Sequence, residues 1–469
     1  MGMMPRAPLR FDEGSLMSST FDTAIRAPLA VHTTNRPSRG YRILIGSAIL
    51  IGLVLVVYVT LSGELFRPAR EAMETGDWQA AILRPSLLWV AMAVVMLTIR
   101  TALWFCYRPY PAVSYDDAPM LTVVIPAYNE GAMVEQSIES VARSHYPRDR
   151  LEILVIDDGS TDDTWQYIER AAARHSGLVS AHRLERNQGK RAALAAGFRR
   201  ARGAVLVTID SDSVIEPGTL AAMAGPFRDP KVGAVAGKVA AFNRDRGLLP
   251  QMLHVRYILS FDFQRSVQST YGTVYCCPGA LAAYRAPIVH KVLDAWLHQR
   301  FLGARCTFGE DRALTNAILA EGYDSVYQGS AVVHTLVPET YSKLCKMYLR
   351  WDRSYVREEI RFARIVWRRP AIPMLLSVLE KTVTNLRYPV AWLALVLLAS
   401  SVFSNPLALV RVLVAIGIGA SFYMLYYLYS ERSARFVYGI LYAYFAFFTL
   451  WWIFPYALLT VRARSWLTR

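Results

Sequence analysis

The segment Thr208-Ile-Asp-Ser-Asp212 closes an apolar run that begins at Ala204, and it sets two carboxylates one residue apart. At the end of a buried strand, such a pair leaves the sheet on its carboxyl edge, where open α/β sheets bind ligands, and can hold one divalent metal. Two other strand-length apolar runs end in the same way. Residues 121–125 run into Pro126-Ala-Tyr-Asn-Glu130, and residues 151–156 into Asp157-Asp-Gly-Ser-Thr-Asp162. Each exit taken alone also reads as a turn or a helix N-cap. Three acidic or polar exits on one sheet edge are hard to explain as ordinary turns. Asp158 can accept hydrogen bonds from a base or ribose, and Asn187-Gln-Gly-Lys190 offers a cation to a pyrophosphate. Together these residues favour a nucleotide-diphosphate site.

The elements that must position them follow from periodicity. Apolar runs at 121–125, 151–156, 179–184 and 204–209 alternate with helix-like stretches. This pattern predicts an α/β doubly wound, mostly parallel sheet with its loops collected on one edge. The Gly-x-Gly-x-x-Gly fingerprint is absent after the first strand, which argues against a hydride-transfer enzyme.

The chain is 469 residues long with 54% apolar content, enough for one large soluble domain and a membrane part. Its net charge of +15 lies largely in runs beside hydrophobic segments, as in Arg361, Arg364, Arg368 and Arg369. Membrane-surface arginines explain this better than nucleic acid, for which no clustered basic and aromatic motif is present. The five cysteines, Cys106, Cys276, Cys277, Cys306 and Cys345, show neither Cys-x-x-Cys spacing nor zinc spacing, which fits a reducing cytoplasmic compartment. Residues 1–40 read as a flexible cytoplasmic tail, 41–106 as a transmembrane hairpin with spans at 43–61 and 85–105, and 107–355 as the cytoplasmic domain. Residues 356–387 read as basic and amphipathic interfacial helices, and 388–469 as a C-terminal membrane region. Within the last, 388–403, 407–429 and 436–460 are candidate spans. Three spans place the basic tail outside, whereas Arg462, Arg464 and Arg469 favour the cytoplasm, so either one stretch is re-entrant or the interfacial segment crosses. The aromatic string Tyr438, Tyr442, Tyr444, Phe445, Trp451 and Trp452 either lines a path for a ligand by stacking or faces lipid.

Further ordered segments carry a resemblance: Arg256-Tyr through Phe261, Cys276-Cys-Pro-Gly-Ala-Leu-Ala-Ala-Tyr-Arg285, Gly309-Glu-Asp-Arg312, Val337-Pro338 and Arg350-Trp-Asp-Arg-Ser354. From about residue 121 to 358 the chain resembles the inverting, membrane-integrated family 2 glycosyltransferases, with hyaluronan and chitooligosaccharide synthases the most similar. The resemblance implies a type A nucleotide-sugar fold inserted between transmembrane helices. It gives Ala127, Tyr128, Asn129, Glu130, Asp157 and Asp158 to the nucleotide, and Lys190, Asp210 and Arg350 to the diphosphate end of a UDP-sugar. Asp210 and Asp212 correspond to a metal-binding Asp-x-Asp for Mg²⁺ or Mn²⁺, and Asp311 to the general base. The acceptor side falls to Cys277, Gly279, Glu310, Arg312 and Trp351. By spacing alone Glu310 is an equal candidate for the base, and Gly-Glu-Asp-Arg is also a helix cap.

The chemistry needs these residue types. A sugar hydroxyl attacks an anomeric carbon as UDP departs, so the acceptor must lose a proton while charge builds on the diphosphate. One carboxylate base without a covalent nucleophile implies single displacement and a β-linked product. The family's Gln-x-x-Arg-Trp motif is altered, since Met347 stands where glutamine is expected, and a thioether cannot donate or accept like an amide. The expected activity is polymerisation of N-acetylglucosamine, alone or alternating with glucuronic acid, from UDP-N-acetylglucosamine and UDP-glucuronic acid, with export of the growing polysaccharide across the cell membrane. The alternative is a single transfer to a lipid carrier.

Overall fold

The computed structural model of the chain describes residues 37–63, 67–76 and 85–463. Residues 1–36 of the expected tail, and Arg464 and Arg469 of the basic C-terminal end, lie outside the described residues.

Among the described residues ten strands form: β1 Leu121–Ala127, β2 Leu151–Asp157, β3 Val179–Arg183, β4 Val205–Ile209, β5 Ser213–Ile215, β6 Val232–Ala241, β7 Leu281–Arg285, β8 Arg300–Phe301, β9 Ala304–Arg305 and β10 Asp324–Thr335. Eight of them make one sheet in the order β3-β2-β1-β4-β7-β6-β10-β5, and β8 and β9 make a small separate ribbon. Strands β3, β2, β1 and β4 run parallel, as do β6 and β10, while β7 is antiparallel to β4 and β6, and β5 to β10. Strands β1, β2, β4 and β6 are buried along their whole length, as strands covered on both faces must be. Val123, Ile125, Ile153 and Val207 have no exposed surface, and each such side chain contributes about 1.5–3 kcal/mol by leaving water.

The helices that matter to the site are α1 Arg39–Ser62, α2 Pro85–Cys106, α3 Met133–Ala142, α4 Thr164–Arg174, α5 Lys190–Arg200, α6 Leu248–Ile258, α7 Glu310–Ala320 and α8 Tyr341–Ile365. They are followed by α9 Ala371–Ser401, α10 Leu407–Ser430, α11 Phe436–Thr449 and α12 Ile453–Leu459. The strands expected from periodicity appear within a residue or two of their predicted bounds.

Four of the described helices are long and apolar enough to cross a membrane: α1, α2 from Leu87, α9 and α10. Two expectations about the C-terminal part change. The interfacial segment ending at 387 and the short span starting at 388 are one continuous helix, α9, with Pro389 inside it. The charges that argued for an interface are largely paired there. Arg100 Nε and Nη2 each bond Glu380 at 2.8 Å, and Lys381 pairs with Glu359. Second, residues 436–460 do not form one straight span. Helices α11 and α12 meet at 49° and bond to the soluble domain. Tyr442 meets Tyr348 of α8 at 2.8 Å, and Arg353 of α8 donates to Thr460 at 2.9 and 3.1 Å.

The Arg100–Glu380 pair crosslinks α2 to α9 and is largely shielded from solvent. Removing one partner strands the other charge, so Glu380→Ala should lower stability by about 3–5 kcal/mol, whereas Arg100→Met with Glu380→Met should recover most of the loss. Thermal unfolding of the purified protein in nanodiscs reads both.

Candidate active site

Register brings the polar strand exits to one level. Ala127 pairs with Asp157, so the loops after β1 and β2 leave the sheet side by side. They are stitched together: the Asn129 N–H donates to Ser160 Oγ at 3.0 Å and the Thr161 N–H to Asn129 Oδ1 at 2.9 Å. Glu130 and Gly131 both donate to Thr164 Oγ1 at 2.8 Å. Asp158 is almost fully buried and accepts the N–H groups of Gln188 and Gly189, both at 2.8 Å, which ties the β2 exit to the loop before Lys190. Burial raises its pKa against the pull of those two donors. Asp157 behaves differently from the sequence expectation. It has no exposed surface, Ser160 donates to its Oδ1 from both N–H and hydroxyl, and Arg183 Nε stands 3.0 Å from Oδ2. Its carboxylate therefore shapes the loop and does not line the cleft.

Lys190 opens α5, and its ammonium bonds Asp210 and stands 3.4 Å from Glu310 Oε1. Burial opposes the charge, but Asp210, Glu310 and Asp311 outweigh it and raise the lysine's pKa. The antiparallel pairing that sets Leu281 opposite Ile209 carries Gly279 onto this pair. A Cβ at Gly279 would stand 2.8 Å from Lys190 Nζ and 3.3 Å from Asp210 Oδ1, so only glycine leaves the pair room. Asp212 Oδ1 accepts the hydroxyls of Ser213 at 3.2 Å and Thr335 at 3.3 Å, because β5 pairs with β10 with those two residues opposite. Burial and the charge of Asp210 raise the Asp212 pKa.

Glu310 and Asp311 begin α7. Gly309 before them has φ 75°, and a Cβ there would lie 2.4 Å from Ser354 Cβ, which shows how tightly the start of α7 is pressed on α8. The two carboxylates are driven apart. Burial works against the Glu310 charge, but Lys190, its own backbone N–H, Arg350 and Arg191 hold it below the usual carboxylate range. Burial and the adjacent Glu310 charge push Asp311 up, opposed by Arg312 and Lys190. The Arg312 N–H donates to Asp311 Oδ1 at 2.7 Å, and the Cys276 thiol donates to Oδ2 at 3.5 Å. Two neighbouring carboxylates thus differ in proton affinity because their environments differ. Spacing alone does not separate the two; the Lys190 contact to Glu310 does. Thr208, Gly279, Glu310 and Asp311 line one cavity.

On α8, Arg350 acts electrostatically on Glu310, and Trp351 is exposed with its ring 5.5 Å from Tyr348 and 6.3 Å from Tyr257. Met347 is buried and accepts from the Tyr257 hydroxyl at 3.9 Å, so the residue in the glutamine's place is held by a tyrosine. Of the expected acceptor residues, Gly279 lies against the Lys190–Asp210 pair, and Glu310 is bound to Lys190. Cys277 is fully buried, its N–H on Thr315 Oγ1 at 3.1 Å, so Cys276 is the cysteine that faces Asp311. Sequence reading missed Thr335 and gave no role to Tyr257, in the Arg256–Phe261 segment, or to Tyr348, beside the altered glutamine position. The signal for Tyr348 was its position three residues before Trp351, on the same helix face. The aromatic string splits: Tyr442 and Trp452 turn to α8, by hydrogen bonds to Tyr348 and Tyr341, while Tyr444 donates to the Leu413 carbonyl inside the membrane helices. His334 shares a 3.2 Å contact with Glu216.

The sequence of residues 122–293 matches the profile of Glycosyl transferase family 2. Hyaluronan synthase of Streptococcus pyogenes is 34% identical over 286 residues, 60% of this chain and 67% of that protein. The chain belongs to glycosyl transferase family 2. Another member, an N-acetylglucosaminyltransferase of Azorhizobium caulinodans, is 35% identical over 249 residues, and the match spans 53% of this chain and 62% of that relative's length. Among solved structures, a mannosyltransferase from Pyrobaculum calidifontis in complex with GDP-Man and Mn²⁺ overlays 80% of this chain and 96% of its own with a TM-score of 0.48 and 21% identity.

For a member of this family the donor set decides whether a divalent cation fits. Among the described residues no group of three or more His, Cys, Asp or Glu side chains is arranged to hold a metal. Asp210 and Asp212 supply two carboxylates, and Asp212 is destabilised by its neighbour's charge. One or two carboxylates completed by phosphate oxygens is the usual setting for Mg²⁺, so the residues fit a cation that arrives with a diphosphate.

Burial and Asp311 hold the Cys276 thiol protonated, with its pKa pushed up to about 12. Alkylation of Cys276 at pH 8 should therefore run roughly 10–10² times slower than for an unperturbed thiol, and Asp311→Asn should speed it. Peptide mapping by mass spectrometry follows both rates.

Proposed function

We propose that the chain is a membrane-embedded, inverting β-glycosyltransferase that polymerises N-acetylglucosamine, alone or alternating with glucuronic acid, from UDP-sugars on the cytoplasmic side and passes the polymer through its own helices. The observation that carries this reading is the placement of Asp311, its proton affinity raised, in one cavity with Gly279, against which the Lys190–Asp210 pair lies. Tyr128, Asn129, Glu130 and Asp158 form the nucleotide end. Lys190 and Arg350 bind the diphosphate. Asp210 and Asp212 would hold Mg²⁺ or Mn²⁺, whose chemistry is to neutralise charge developing on the diphosphate.

On this reading Asp311 takes the acceptor hydroxyl's proton as the new bond to the anomeric carbon forms and the bond to UDP breaks. Glu310 stays ionised beside Lys190 and prevents that proton from being shared. With no side chain forming a covalent intermediate, the anomeric centre inverts once. Trp351 offers a flat face to the acceptor ring. Four crossing helices return the chain to its starting side, and the bent α11–α12 pair, bonded to α8, acts as a re-entrant collar. This arrangement supports an outlet lined by protein, which a hydrophilic polymer needs to pass hydrocarbon.

Asp311→Asn should reduce transfer by about 10²–10⁴-fold while UDP still binds. The wild-type rate should fall as pH drops through the raised pKa of Asp311, because the base becomes protonated, and the residual rate of the Asn variant should lack that limb. Initial rates against pH, with UDP binding by calorimetry as control, check both. In vesicles supplied with donor only on the catalytic-domain side, polymer should collect on the opposite side, stop on chelation and resume with Mg²⁺ or Mn²⁺. Label that extracts with lipid, or a one-sugar product, would mean single transfer to a carrier instead.

A further inference from the structure

Arg191 follows Lys190 at the start of α5, and its side chain is buried. Its Nη1 donates to the Trp296 carbonyl at 2.7 Å and to Gln299 Oε1 at 2.9 Å, and its guanidinium stands 5.2 Å from the centre of the Trp296 ring. Trp296, near the end of the helix Ala286–Leu297, is buried as well, and its indole N–H donates to the carbonyl oxygen of Glu310 at 2.9 Å. Two consecutive residues therefore reach Glu310 by separate routes. Lys190 stands against its carboxylate, and Arg191 holds its main chain through the indole. Trp296 also lines the cavity that contains Glu310 and Asp311.

The same segment is fastened from the side of α8. Gln299 Nε2 donates to Glu358 Oε1 at 2.6 Å, and Asn316 of α7 donates to Glu358 Oε2 at 2.9 Å and to its carbonyl at 3.0 Å. Arg357 donates to the Phe308 carbonyl at 2.7 Å, just before the left-handed Gly309. Arg191, Gln299, Asn316, Arg357 and Glu358 are all almost wholly out of solvent. Apolar side chains of similar volume would join α7 to α8 without desolvating two guanidinium groups and a carboxylate. Two of the Arg191 donors, Nε and Nη2, find no hydrogen-bond partner among the described residues, which makes the arrangement costlier still. What hydrogen bonds supply and apolar contact does not is direction. Glu310 and Asp311 are consecutive on a helix and lie about 100° apart around its axis, so rotation of that turn changes which carboxylate meets Lys190.

Resting on the proposed function above, we propose that Arg191, acting through the Trp296 indole, is a positioning residue for glycosyl transfer: it sets the rotation of the first turn of α7, so that Glu310 meets Lys190 and Asp311 is left to take the acceptor's proton.

Trp296→Phe deletes the indole N–H and keeps a ring beside the guanidinium. With the full chain in nanodiscs and UDP-N-acetylglucosamine and UDP-glucuronic acid supplied together, kcat per UDP site counted by calorimetry should fall roughly 10- to 100-fold, with the donor KM values within about two-fold of wild type. The acid limb of the rate should move to higher pH, because carboxylates that lose their hold on Lys190 take up the first proton more readily. Arg191→Gln should show the same loss, and adding Trp296→Phe to it should change kcat little further, since residues that act through one another are not additive. A packing role alone predicts a lower melting temperature with kcat per site and the acid limb unchanged. That result would overturn the proposal, as would losses that add in full in the double variant, and both leave the glycosyltransferase reading intact. Should one single variant not fold, the other decides by kcat per site and the acid limb. Wild-type protein that consumes no UDP-sugar would strike the glycosyltransferase reading, and this proposal with it.

Discussion

One ammonium group stands among carboxylates that could not otherwise share so small a volume. Lys190 bonds Asp210, lies 3.4 Å from Glu310 and acts on Asp311, and Asp212 adds a further negative charge beside Asp210. Like charges in a partly desolvated cleft repel strongly, and a single cation cannot neutralise all of them. The consequence is a division of roles by proximity. Glu310, next to the lysine, is held ionised, whereas Asp311, one residue on and next to Glu310, has its proton affinity raised. The remaining negative charge at Asp210 and Asp212 leaves this edge of the sheet with carboxylates that the lysine does not fully offset.

The rest of the domain exists in a form that keeps those groups in contact. Level endings of β1 and β2, glycine at 279 under the Lys190–Asp210 pair, and the pressed start of α7 against α8 are three backbone conditions, each set by packing some distance from the charges. Helix α8 then links this edge to the membrane part. Its Arg350 acts on Glu310, its Tyr348 meets Tyr442 of α11, and its Arg353 meets Thr460 just beyond α12. The sheet edge and the C-terminal helices are thus joined through a single helix.

The membrane part also shows how pairing changes the meaning of a charged residue. Glu380 and Lys381 looked like residues of an interfacial helix, because an isolated charge belongs at the water boundary. Both are satisfied by partners far away in sequence, Arg100 and Glu359, and α9 runs uninterrupted through them. The bend at residues 450–452 likewise changes the reading of the last stretch: among the described residues, five apolar stretches give four full-length helices and one bent pair.

Much was legible in the sequence because it depends on local rules. Strand-length apolar runs ending in Asp or Asn, helical stretches between them, and long uncharged segments at both ends determine an α/β sheet with polar exits and flanking membrane helices. The residue types at 158, 190, 210, 212, 311, 350 and 351 could be named from those exits and from ordered motif segments. What only the tertiary structure decided were matters of neighbourhood. Asp157 turns into its own loop while Asp158 reaches the Lys190 loop; Cys276 faces Asp311 while Cys277 enters the core; Glu310 and not Asp311 meets the lysine. Adjacent residues have nearly identical sequence context, but on a strand or helix end they point in different directions. Which one meets a charge is set by strand register and helix packing, and proton affinity follows from that contact and not from residue type.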